Sequence, residues 1–277
     1  MKEFPKGGII GKTVHAVKSI SAMRIPLHAA NAGYFIVLAV FPALVLVLSL
    51  LRYTGLQVEN LTDLLQGVIP DALLPAAERL IISTYANTSS AMISLSALTA
   101  LWSASRGVYG LLTGLNAIYG VSENRSYLYT RGISVVYTFL FLLVLLLTLV
   151  LHVFGTTISA MLEVHANPAL DFVMEIIDLR FFLLLLVQTV MFTAMFMVLP
   201  NRRNRLADSL PGALLASIGW LTFSDLFSIY VEHFPSYANI YGSVYAVALS
   251  MLWLYCCLSI FFYGGALNRF IMDSRKS

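Results

Sequence analysis

Residues Gly33 to Leu51 read GYFIVLAVFPALVLVLSLL, an uninterrupted apolar run without a charged side chain. At about 1.5 Å of rise per residue, a helix of this length crosses the roughly 30 Å hydrocarbon layer of a bilayer. Working outward, five further stretches have the same character, so six spanning helices are predicted at about 33–52, 91–117, 133–155, 180–199, 209–231 and 242–268. The fold class is therefore all-α: a polytopic membrane helical bundle. Pro42 inside the first span predicts a kink, and Pro211 marks the start of the fifth.

Composition agrees independently. The chain is 59% hydrophobic and 11% charged, with a mean hydropathy of +0.83, whereas soluble domains are roughly 25% charged. No long polar linker separates the apolar segments, so residues 1–277 form one integral membrane domain. Residues Met1 to Arg24 lack a compact apolar stretch ending in a cleavage site, and no cleaved signal peptide is expected. Ile10, Val14 and Val17 instead recur at helical spacing, which predicts an amphipathic cytoplasmic helix within residues 1–26, ended by Pro26. Two short outer helices are predicted between Leu61 and Ile81, split by Pro70 and Pro75, and an acidic outer segment at 156–179.

The basic residues orient the bundle. With the first terminus inside, the cytoplasmic segments hold Lys2, Lys6, Lys12, Lys18, Arg24, Arg125, Arg131, Arg202, Arg203, Arg205, Arg269, Arg275 and Lys276. Only Arg52, Arg79 and Arg180 then fall outside, so both termini are predicted cytoplasmic in an inner membrane. The net charge of +3 follows from that topology and gives no reason to expect a nucleic-acid partner. Membrane lipids are the expected surroundings.

Arg106 is the exception, because it lies within the second span. On a helix, Arg106, Tyr109, Thr113 and Asn116 form a polar stripe beside a small-residue face of Ser103, Gly107, Gly110, Gly114 and Ala117. The stripe reads equally as a polar pathway or as a packing seam with a snorkelling arginine. Asp225, well inside the fifth span, is the candidate counter-charge; near the outer surface it would simply be hydrated. Gly212, Ala216 and Gly219, and Ser243, Ser250, Cys257 and Gly264, read as packing seams.

Catalytic chemistry is not visible. The five histidines are scattered without ligand spacing, Cys256 and Cys257 are adjacent and point apart on a helix, and no Gly-rich phosphate loop occurs. Neither a cofactor nor a metal is expected, and the chain reads as no enzyme.

Several motifs in fixed order carry a family resemblance: Ala29-Ala30-Asn31-Ala32-Gly33-Tyr34-Phe35 before Phe41-Pro42, Leu199-Pro200 before basic residues and Leu210-Pro211-Gly212-Ala213, Phe234-Pro235-Ser236-Tyr237 with Tyr241-Gly242-Ser243, Trp253-Leu254-Tyr255, and Gly265-Ala266-Leu267-Asn268. Together they resemble the YihY/BrkB family of bacterial inner-membrane proteins over nearly the whole chain. The resemblance implies a six-helix membrane protein of a family once labelled a ribonuclease, for which transport has also been proposed. Leu267 departs from an expected Gly-Ala-Glu pattern, which removes any proton- or ion-handling acid there. The reading is a transporter or exporter of a solute or amphiphile, its path lined by the second and fifth helices and by Tyr237 and Tyr241; a membrane scaffold for envelope assembly is the alternative.

Overall fold

The computed structural model describes residues 20–51, 74–87, 89–138, 140, 180–233 and 243–275. Among the described residues there is no strand. The helices are α1 (Ile25–Leu51), α2 (Leu74–Asn87), α3 (Ser90–Tyr119), α4 (127–138), α5 (Arg180–Val198), α6 (Leu206–His233) and α7 (Ser243–Ser274). The N-terminal amphipathic segment before residue 20, the stretch 61–73, most of the third predicted span and the acidic segment 156–179 lie outside the described residues, as do Tyr237 and Tyr241.

Helix ends depart from the apolar runs, and the departures have physical reasons. Pro26 does not end a helix but lies in the first turn of α1, where its missing N–H would have had no intrahelical partner. The break falls instead at Met23 and Arg24, with Arg24 in the left-handed region at φ 48°. α6 begins at Leu206, before Pro211, and carries Asp208 in its first turn, where a carboxylate meets the positive end of the helix dipole. α3 is bounded locally: Ser89 Oγ accepts the Met92 N–H at 3.2 Å, and Gly120 closes the other end at φ 67°.

α7 is the hub, packing on α1, α3 and α6, while α1 also packs on α3 and α2, and α5 on α6. The small-residue face expected on α3 is where α1 approaches. A Cβ on Gly110 would lie 3.0 Å from Ala32 Cα, and one on Gly114 would lie 2.9 Å from His28 Cβ and 2.5 Å from the Phe262 ring. The pairing of His28 with Gly114 and of Ala32 with Gly110 makes the two helices antiparallel. The start of α1 therefore shares an end of the bundle with the finish of α3, and Arg269 near the finish of α7 reaches the Ile118 carbonyl there. The core joins Leu112, Leu115 and Ile118 of α3 to Phe192, Met195 and Phe196 of α5 and to Phe261 and Phe262 of α7.

The outside of the bundle is also apolar. Leu95, Leu98 and Trp102 on α3 and Leu210, Leu214, Leu215 and Ile218 on α6 are exposed, a surface suited to lipid and not to water. Ile20–Val40, Leu206–Val231 and Val247–Ser274 are long and apolar enough to cross a membrane, and Phe182–Val198 is a shorter apolar helix. α3 is not among the three, because Ser, Thr, Gly and Arg106 dilute its hydropathy.

Candidate functional site

Arg106 projects from α3 with its guanidinium carbon 5.0 Å from the centre of the Phe35 ring on α1 and 5.7 Å from that of Trp102. The ring faces supply an electrostatic attraction of roughly 0.5–2 kcal/mol each, more where water is excluded. They do not accept the planar N–H donors. Arg106 Nε is buried without a hydrogen-bond partner, and among the described residues the side chain forms no ion pair. Asp225 is exposed on α6 and does not pair with it, since α3 packs on α1 and α7 whereas α6 packs on α5 and α7.

The rest of the stripe divides. Tyr109 is half-buried against the core. The Thr113 hydroxyl turns back to the Gly110 carbonyl at 3.0 Å, so its donor is used within the helix. Asn116 is buried and belongs to a different group, a knot of charged and amide side chains at the end where α3, α5 and α7 finish.

That knot is the feature the sequence did not announce. Glu123, in the loop after α3, accepts from the Arg125 backbone N–H at 3.0 Å, from Arg125 Nε at 2.8 Å and Nη2 at 2.7 Å, and from Asn116 Nδ2 at 2.7 Å. Side-chain hydrogen bonds from Arg125 hold its carboxyl below the usual carboxylate range, and the bond from Asn116 adds to them. Arg125 also donates to the carbonyls of Val198 at 3.4 Å and Leu199 at 2.7 Å. These groups close α5, where carbonyls lack helical partners and the dipole favours a cation. Arg269 does the same for α3 at the Ile118 carbonyl. The Asn201 N–H donates to Asn116 Oδ1 at 2.7 Å, and Arg275 pairs with Asp208 at 2.8 Å. The loop after α3, the turn between α5 and α6, and the tail of α7 are thus tied together by charge-assisted bonds. Arg24, Arg203 and Arg205 remain exposed. Among the described residues no three His, Cys, Asp or Glu side chains converge as a metal site would require.

A helical bundle with apolar outer faces, spanning-length helices and its paired arginines gathered at one end defines a membrane protein. The chain belongs to the virulence factor BrkB family, whose model matches residues 16–277, in agreement with the resemblance read from its motifs. It is 30% identical to a protein of Bacillus subtilis (strain 168) named as the ribonuclease-like protein YfkH, over 91% of this chain and 94% of the relative. It is 26% identical to the UPF0761 membrane protein VP0125 of Vibrio parahaemolyticus, over 90% of this chain and 78% of the relative. No solved structure matches.

Proposed function

We propose that this protein transports or exports a solute or amphiphile bearing an anionic group across the inner membrane, and that Arg106 meets that group. The observation carrying this reading is the guanidinium set against the Phe35 and Trp102 rings with a buried, unpartnered Nε and, among the described residues, no ion-pair partner. An intramembrane cation without a protein partner is costly, and a cargo anion would lower that cost. The enzyme reading is set aside despite the ribonuclease-like name of one relative. The knot of Glu123 and Arg125 spends its donors and acceptors on helix ends, and the reading includes no nucleic-acid partner.

The flux test uses proteoliposomes carrying a fluorescent anionic phospholipid or its zwitterionic counterpart. The anionic probe moves faster with the protein than without it, and Arg106→Gln lowers that rate about tenfold or more, as expected for losing a hydrogen bond to a charged group of roughly 1.5–3 kcal/mol. Equal rates for parent and variant at matched reconstitution would remove Arg106 from the path.

The finer topology belongs to the same proposal: six spans, with both termini cytoplasmic. In support, Arg24, Arg125, Arg202, Arg203, Arg205, Arg269 and Arg275 lie at the bundle end where α1 and α6 begin and α3, α5 and α7 finish, as a cytoplasmic face would have them. Reporter fusions after Arg24 and after Ser277 read cytoplasmic, and one after Asp178 reads external; the opposite result at any of them overturns the assignment.

A further inference from the structure

Where α5, α6 and α7 meet, the packing leaves polar atoms unused. Thr189 on α5, Ser209 and Ser217 on α6, and Asn204 in the turn between them are all buried. The three hydroxyls and Asn204 Oδ1 have no hydrogen-bond partner. Hydroxyls in apolar helices ordinarily turn back to the carbonyl four residues earlier. This chain does so elsewhere: Ser134 bonds the Thr130 carbonyl at 2.8 Å, Thr193 that of Thr189 at 2.7 Å, and Ser259 that of Tyr255 at 2.8 Å.

An aromatic layer divides these atoms. The Phe192 ring centre lies 5.6 Å from that of Trp220 and 5.1 Å from that of Phe261, and the Trp220 centre lies 5.8 Å from that of Trp253, so α5, α6 and α7 each contribute to the layer. α5 runs toward the arginine-rich end and α6 runs away from it. Ser217, Ser209 and Asn204 therefore lie between the layer and that end, and Thr189 lies on the far side.

We propose that this half of the α5–α6–α7 seam is a polar entrance that opens to water and receives uncharged hydroxyl or amide groups, stopping at the aromatic layer. Its lining atoms are hydroxyls and an amide oxygen, which suit neutral hydrogen-bonding ligands. They stand apart from the guanidinium on α3. The inference does not depend on transport, because hydration of the seam is measured directly.

The experiment uses the full chain in lipid nanodiscs with Cys256→Ala and Cys257→Ala, single cysteines at the seam, and a small water-soluble methanethiosulfonate. Ser209→Cys and Ser217→Cys react at least about tenfold faster than Leu115→Cys, a core position reached only through local unfolding. Thr189→Cys reacts at the core rate and accelerates when Trp220→Ala is added. Seam positions reacting at the core rate overturn the entrance, and Thr189→Cys reacting as fast as Ser217→Cys overturns the aromatic stop. Hydroxyl-radical footprinting of the unsubstituted chain guards against a substitution that unfolds the bundle. Phe196, fully buried, stacked on Phe261 and with its carbonyl accepting from Asn204 Nδ2 at 2.8 Å, is oxidised if the entrance admits water, and its protection overturns the proposal.

Discussion

Gly212→Val is expected to leave almost no folded protein in the membrane. A Cβ at position 212 would lie 2.0 Å from the Gly264 carbonyl oxygen and 2.6 Å from Asn268 Cγ, and one at Gly264 would lie 2.4 Å from the Gly212 oxygen. The obstacle is backbone, so no rotamer change relieves it and α6 must move away from α7. That movement breaks the clamp in which Asn268 Oδ1 accepts the Gly212 N–H at 2.7 Å and Asn268 Nδ2 donates to the Ser209 carbonyl at 3.0 Å. Overpacking and an orphaned amide together come to roughly 2–6 kcal/mol, a large share of a typical net stability of roughly 5–15 kcal/mol. Detergent-solubilised protein followed by fluorescence-detected size exclusion after heating reads the effect. Gly132→Ala, where a Cβ meets open space, serves as the control. A Gly212→Val protein that elutes and melts like the parent would show that α6 and α7 are not held at this contact.

The contact itself was visible in part beforehand. Glycines at helical spacing on α3, α6 and α7 mark faces where helices come close, and Gly110, Gly114, Gly212 and Gly264 all lie at such faces. The apolar runs likewise carry α1, α5, α6 and α7, because hydrophobic length is a property of residue type alone. Helix ends were less accessible: Pro26 reads as a stop by type, and only its place in the first turn of α1 makes it a start. Partnership was the least legible. Arg106 and Asp225 look complementary in sequence, but charge complementarity says nothing about which helices are neighbours. Arg125 counts correctly toward a basic side, yet its partners across the bundle are backbone carbonyls at Val198 and Leu199, and a carbonyl has no residue-type signature. Glu123, two residues from Arg125, was the one available hint.

Arg125→Ala is expected to lower the melting temperature sharply, because one side chain ties the loop after α3 to the end of α5. Its removal leaves the Glu123 carboxylate with only the residue-125 backbone N–H and Asn116 Nδ2 as donors, and leaves the Leu199 carbonyl without the 2.7 Å bond that closes α5. The pair is largely shielded, with side-chain exposures of 16% and 21%, so solvent screening discounts it less than it would a surface ion pair. A loss of about 2–3 kcal/mol follows from an unpaired, partly buried charge and lost charge-assisted bonds. Glu123→Gln costs less, since the amide still accepts from Arg125, and the double variant falls short of the sum because both changes act on one network. Acid supplies an independent check. Arg125 holds the Glu123 carboxyl below its ordinary value of 4.5 in the folded protein. Its contribution is therefore complete above that value and is lost as pH falls through the lower, folded value. Parent and Glu123→Gln should differ most near neutrality and converge in acid below pH 4.5. A difference that stays constant across that range, or an Arg125→Ala protein as stable as the parent at pH 7, would mean that the loop after α3 and the turn after α5 are held by their backbones and not by this knot.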